Sequence, residues 1–186
     1  MSDELVVPHL YLDTNIILDV LRDRRRQGEL VSLKLLEHAK REKWFISTSP
    51  FTLMEILDVE QDDMFFQIKV SEGYTVADVL RIRRQRDLSK QQLDRISRRM
   101  DDKLRIAYAY IDYWELDPKG FDHAVELART TNISAPDCLH LATALEAGCD
   151  LFVTTDEFLA KEAKEYLHTS LPENVETELR NLGFNM

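Results

Sequence analysis

Leu10-Tyr11-Leu12-Asp13-Thr14-Asn15-Ile16-Ile17-Leu18 is the stretch on which the fold turns. The apolar run from Val6 to Leu12 reads as a strand. Asp13-Thr14-Asn15 ends it, and Ile16, Ile17, Leu18, Val20 and Leu21 open a helical pattern. The same handover recurs along the chain. Trp44-Phe45-Ile46-Ser47-Thr48 reads as a second strand, and Ser49-Pro50 starts a helix, because Ser accepts from free N–H groups and Pro fits the first helical position. Glu55 falls near the second turn of that helix. Leu151-Phe152-Val153 is a third strand, followed by Thr154-Thr155-Asp156. Strands alternating with helices imply an α/β fold with a mainly parallel sheet covered on both sides, and in such sheets chemistry gathers at the carboxyl ends of the strands.

The intervening segments read as helices. Arg22 to Gly28 is a polar break, after which Leu30, Leu33, Leu36 and Ala39 keep helical spacing. From Asp58 to about Glu115 only helices are expected. Ser89 with Gln92 has capping-box form, and Leu93, Ile96, Met100, Leu104, Ala107, Tyr108 and Ile111 form an apolar stripe with Arg95, Arg98 and Arg99 roughly opposite. Asp117-Pro118 introduces another amphipathic helix. Ser134-Ala135-Pro136-Asp137 opens the next, which runs to Gly148. Trp44, Trp114, Tyr108 and Phe152 have core spacing, and the tail after Phe158 is mostly helical in composition.

A length of 186 residues suits one domain with an insertion, and 44% hydrophobic with 31% charged residues excludes disorder and repeat classes. No run approaches the ~18 apolar residues of a membrane span, and the first residues are acidic where a secretory signal would be basic, so a cytoplasmic location and no membrane partner are expected. Cys138 and Cys149 match no metal or redox spacing and read as buried, reduced side chains. The net charge of −10 argues against nucleic-acid binding by overall electrostatics, but Arg81–Arg105 carries +6 and the remainder −16. The charge is segregated.

Four acids, Asp13, Glu55, Asp137 and Asp156, lie at strand-to-helix handovers or early in helices. If the strand ends share one edge, these carboxylates meet in one cleft, where like charges repel unless a divalent cation compensates them. Hard oxygen ligands of this kind suit Mg²⁺ or Mn²⁺. Each acid also has a plain structural reading, as a helix cap or a solvated surface group. His140, one turn beyond Asp137, reads as a packed or surface histidine rather than a ligand. No Cys/His nucleophile pair, phosphate-binding loop or dinucleotide glycine pattern is present.

Leu10-Tyr11-Leu12-Asp13-Thr14-Asn15, Glu55, Ala135-Pro136-Asp137-Cys138-Leu139-His140-Leu141-Ala142-Thr143-Ala144 and Phe152-Val153-Thr154-Thr155-Asp156-Glu157-Phe158 together resemble the ordered motifs of PIN-domain nucleases, especially VapC-type toxin ribonucleases, over residues 5–60 and 117–160. The resemblance implies a three-layer α/β/α sandwich and a single PIN-like domain over residues 1–186. It makes Asp13, Glu55, Asp137 and Asp156 the carboxylates around one or two Mg²⁺ or Mn²⁺ ions, with Thr14, Asn15, Thr154 and, more weakly, Thr155 as supporting polar groups. The implied reaction is endonucleolytic hydrolysis of RNA by metal-activated water, leaving 5′-phosphate and 3′-hydroxyl ends. An antitoxin protein and a second copy of the chain are the partners it implies; the sequence does not choose between them. The chain departs from the compact pattern by a basic helical insertion at about 61–115, where Arg81, Arg83, Arg84, Arg86, Arg95, Arg98 and Arg99 either hold the RNA backbone beside the acidic cleft or form a solvated helix face. Two rivals stand beside this reading: a non-catalytic RNA-binding or scaffold protein whose acids are caps, and a phosphatase with Asp13 as nucleophile. The second lacks the acid expected two residues on, where Asn15 stands.

Overall fold

The computed structural model describes residues 6–21, 27–107 and 111–185. Residues 22–26 of the expected polar break, the acidic first residues and Tyr108 lie outside them, while Gln27 and Gly28 of that break are helical. In chain order the elements are β1 (His9–Leu12), α1 (Thr14–Leu21), α2 (Gln27–Glu42), β2 (Phe45–Thr48), α3 (Phe51–Ser71), α4 (Val76–Ile82), α5 (Lys90–Ala107), β3 (Asp112–Tyr113), α6 (Pro118–Thr130), α7 (Ala135–Glu146), β4 (Leu151–Val153), α8 (Glu157–Ala163), β5 (Thr169–Ser170) and α9 (Val175–Asn181). The chain divides into two compact units, Met1–Thr52 with Tyr110–Met186 and Leu53–Ala109.

The first unit is built on a five-stranded sheet in the order β3-β2-β1-β4-β5, with each neighbouring pair parallel. It is a three-layer α/β/α sandwich, as the sequence led one to expect. Side-chain alternation makes the layers. Tyr11 and its register partner Phe152 point to one face, where their rings stack at 5.4 Å. There they join Ala124 and Leu127 of α6, Cys138, Leu141, Ala142 and Ala144 of α7, and Leu159 and Ala163 of α8 in one buried cluster. Leu10, Leu12, Leu151 and Val153 alternate to the opposite face and are fully buried. At ~1.5–3 kcal/mol for each large apolar side chain buried, these strand residues anchor the sheet centre.

Local chemistry fixes the element ends. Asp117 caps α6 by accepting from the Gly120 N–H at 2.8 Å, with Pro118 opening the helix. Lys43 closes α2 in the left-handed region (φ 57°), which lets the Trp44 N–H return to the Ala39 carbonyl at 2.9 Å. Both cysteines are buried free thiols.

Four further sequence expectations change. The first strand starts at His9 rather than Val6. The stretch expected to hold only helices ends in a strand, β3, and β5 lies in the tail that read as helical. Both are two-residue edge strands, too short to show periodicity, and tertiary pairing to β2 and β4 makes them strands. Trp114, expected in the core, is 42% exposed; it lies just past β3, where its N–H is held by the Thr48 carbonyl at 2.8 Å.

The second unit contains most of α3, then α4, a 3₁₀ turn at Arg83–Gln85, and α5. Ile56, Met64, Phe65, Val79, Ile96 and Met100 are buried apolar side chains of this unit. The Ser89–Gln92 capping box is formed, with the Ser89 N–H on Gln92 Oε1 at 2.7 Å. Arg86 and Arg83 both reach Asp62 at 3.0 Å, and Arg86 also reaches Asp58, so the turn is clamped to α3.

Candidate active site

The sheet order contains a reversal. From β1 the chain steps through β2 to β3 on one side, then returns to place β4 and β5 on the other. The crevice beyond the carboxyl ends of β1 and β4 is therefore the topological switch point, the place where open α/β sheets hold ligands. Asp13 stands at that edge. Its N–H donates to the Val153 carbonyl at 3.0 Å, carrying the β1–β4 ladder one residue beyond β1, while its own carbonyl accepts from Ile16 at 3.1 Å as α1 begins.

The Asp13 carboxylate is buried and faces three donors. Oδ1 accepts from the Thr14 N–H at 2.7 Å, and Oδ2 accepts from Asn15 Nδ2 and from the Thr154 hydroxyl, each at 2.7 Å. Thr154 Oγ1 in turn accepts from Asn15 Nδ2 at 3.1 Å and from the Asp156 N–H at 3.0 Å. Asn15 Oδ1 accepts from the Thr155 N–H at 3.0 Å. Thus Asn15 and Thr154 cross-link the β1–α1 and β4–α8 loops around one carboxylate. Thr155 enters through its backbone, not its hydroxyl.

Burial pushes the Asp13 carboxyl above the usual carboxylate range. The nearby His140 imidazole and the Thr154 bond pull it back down, and the Asp137 charge pushes it further up. Asp137 therefore lies within electrostatic reach of Asp13. It is half-buried in the first turn of α7, and its Oδ2 accepts from the Ser134 hydroxyl at 2.6 Å. Asp156 is exposed and caps α8, taking the Leu159 N–H on Oδ1 at 3.0 Å. Glu55 is half-buried on α3 and belongs to the second unit.

His140, which sequence reading treated as packed or superficial, is fully buried. Its Nδ1 lies 2.8 Å from the Tyr11 hydroxyl and its Nε2 3.2 Å from Thr14 Oγ1. Thr14 Oγ1 donates to Thr52 Oγ1 at 3.2 Å, Thr52 and Thr48 share a bond of 2.8 Å, and Thr48 donates to the Leu12 carbonyl at 2.8 Å. Sequence reading did not single out Thr48 or Thr52, since buried threonines near strand ends carry no chemical signature until partners are visible.

A divalent cation can be tested against these groups. Among the described residues no three His, Cys, Asp or Glu side chains form a ready metal cage. The donor chemistry nevertheless fits. Asp13 is a buried carboxylate with three of its roughly four acceptor positions used, and a second carboxylate already repels it, which is the condition a hard cation relieves.

The family model described as the PIN domain matches residues 10–165, which include the candidate site, strands β2 to β4 and nearly all of β1, and the second unit. The chain belongs to the PIN domain family. A crystal structure of VapBC2 from Rickettsia felis, bound to a DNA fragment from their promoter, contains a chain with the same fold as this PIN domain; TM-score is 0.51 at 18% identity, over 88% of this chain and 98% of that one. No curated protein matches the chain. Among the described residues, no helix is long and apolar enough to cross a membrane.

Proposed function

We propose that this PIN domain is a metal-dependent endoribonuclease, and that it is the toxin of a toxin–antitoxin pair. The observation that carries the reading is the buried Asp13 carboxylate at the switch point, oriented by three donors and held under the repulsion of Asp137. PIN domains are nucleases as a family, and the VapBC2 likeness supports the toxin assignment with an antitoxin as partner. A second copy of the chain is the other partner carried forward from the sequence reading.

Asp13 and Asp137 would hold Mg²⁺ or Mn²⁺, with Asp156 as the further acid of the first unit. When bound, the ion supplies a water of lowered pKa and neutralises the charge of an approaching phosphodiester. The chain's own residues do the rest. Thr14, Asn15 and Thr154 fix the rotation of the Asp13 carboxylate so that no reorientation is needed when a ligand arrives. The Thr155 N–H keeps Asn15 aligned, and the α8 cap holds Asp156 at the rim.

RNA backbone is held by arginines of the second unit. Arg81, Arg83 and Arg86 are engaged with Asp78, Asp62 and Asp58, so they keep the insertion in shape. Arg84, Arg95, Arg98 and Arg99 are exposed, and the last three line a groove of about 580 Å³ on α5 with Gln91, Gln92, Asp94 and Asp102, three cations against two carboxylates. This face is the better candidate for phosphate. Replacing Arg95, Arg98 and Arg99 together by Gln is expected to flatten the dependence of log affinity on log salt by about 2, at ~0.7 per single-strand phosphate lost. An unchanged slope removes the grip.

The rival, a non-catalytic RNA-binding or scaffold protein, draws on the capping roles of Asp137 and Asp156. A mixed RNA pool incubated with Mg²⁺ or Mn²⁺ separates the two. Cleavage abolished by chelator and by Asp13→Asn supports the nuclease; RNA binding without cleavage in any condition supports the rival.

A further inference from the structure

The hydrogen-bond chain beneath the carboxylates has one direction, and it gives His140 a task. Thr48 spends its proton on the Leu12 carbonyl, so in the Thr48–Thr52 pair Thr52 is the donor. Thr14 donates to Thr52. Having given its proton away, the Thr14 hydroxyl receives from His140 Nε2, and that ring nitrogen must carry hydrogen. In a neutral ring with hydrogen on Nε2, Nδ1 is the acceptor and takes the Tyr11 hydroxyl 2.8 Å away. The order is Tyr11, His140, Thr14, Thr52, Thr48, Leu12 carbonyl, and it ends on the residue immediately before Asp13.

We infer that His140 is a positioning residue of the acidic site, held as the neutral tautomer with hydrogen on Nε2. Resting on the proposed metal-dependent reading, its role is to lock α7, which carries Asp137, to the first residue of α1, whose N–H orients Asp13. His140 is one helical turn from Asp137, and Thr14 is bonded to both His140 and Asp13. The two acids thus inherit their spacing from one imidazole. The ring sits in a wall of its own, tilted against Tyr11 at 6.0 Å and Phe51 at 5.7 Å, so its orientation is fixed by packing as well as by bonds. A buried His kept only for volume would not need both nitrogens matched to a donor on one side and an acceptor on the other.

The test has two parts. In metal-free wild type, ¹⁵N spectra of the His140 ring are expected to show hydrogen on Nε2 and a bare Nδ1; the opposite tautomer, or hydrogen on both, overturns the assignment. Mn²⁺ is then titrated into wild type, His140→Gln, whose amide can still donate to Thr14, and His140→Leu, with circular dichroism checking that each is folded. His140→Leu is expected to weaken Mn²⁺ binding about tenfold and to lower cleavage by about 10- to 100-fold, the scale of an ångström-sized misplacement. His140→Gln is expected to recover most of both. Folded His140→Leu with wild-type Mn²⁺ affinity overturns the positioning role, and so does His140→Gln no better than His140→Leu. Should His140→Leu fail to fold, Thr52→Val, which breaks the same chain outside α7, must lower Mn²⁺ affinity or the role falls. If wild type itself binds no Mn²⁺ and cuts no RNA, it is the nuclease reading that fails, and the positioning role resting on it falls too, while the tautomer result stands by itself.

Discussion

Thr154→Val removes one hydroxyl from a fully buried side chain of almost the same shape, so its effect is the loss of polar contacts and little else. Three contacts go: the donation to Asp13 Oδ2 at 2.7 Å, the acceptance from Asn15 at 3.1 Å, and the acceptance from the Asp156 N–H at 3.0 Å. A hydrogen bond to a charged group contributes ~1.5–3 kcal/mol, and a buried donor left without a partner costs ~1–3 kcal/mol. Asn15 retains Asp13 at 2.7 Å, so its loss is small. The contributions share partners and do not add fully, which puts the expected destabilisation at about 2–4 kcal/mol. For a chain of this size ~2–4 °C accompanies each kcal/mol, giving a fall in Tm of roughly 4–16 °C. Urea unfolding of wild type and variant, with equal m-values, gives the difference directly. Thr155→Val is the control, because Thr155 is exposed and contributes only its backbone N–H; its expected change is within about 0.5 kcal/mol. If the two variants unfold at the same urea concentration, the cross-link through Thr154 does not hold the site together.

Three further outcomes follow from named contacts. Saturating Mn²⁺, at 100 times its Kd, is expected to stabilise wild type by ~2.7 kcal/mol and Asp13→Asn by much less, read as a shift in melting temperature; equal shifts place the ion elsewhere. Lys43→Gly is expected to raise stability by about 0.5–1 kcal/mol in urea melts, since glycine adopts the positive φ at the end of α2 without a Cβ clash, and a loss of stability would contradict the left-handed assignment. Burial pushes the Cys149 thiol up to about 11, so native protein should resist iodoacetamide until unfolded. Because that folded value lies above the unfolded one near 9, its stabilisation is complete below pH 9 and declines as pH rises toward 11; Cys149→Ser should lose that alkaline decline.

Asp13, Asp137 and Asp156 could be placed at helix starts from local rules, because Asx residues, Pro and apolar periodicity act within a few residues of each other. The same rules placed β1, β2 and β4, whose apolar side chains leave a signal in sequence. They missed β3 and β5, where pairing with a neighbour distant in the chain supplies the reason for the strand. They also put Trp114 in the core, because spacing alone does not reveal that a side chain emerges at the edge of the sheet.

The arginine segment shows the limit from the other side. Sequence grouped seven arginines by charge, yet Arg83 and Arg86 are bound to Asp62, more than twenty positions earlier, while Arg95, Arg98 and Arg99 face outward on α5. In the sequence, then, lay the strand-to-helix joints and the residue types at them, since these depend on interactions between near neighbours. Only the tertiary structure decided that β1 and β4 lie side by side, so that Thr154 meets Asp13 across 141 positions and His140 reaches Thr14 across 126, because pairing of distant strands depends on the whole sheet.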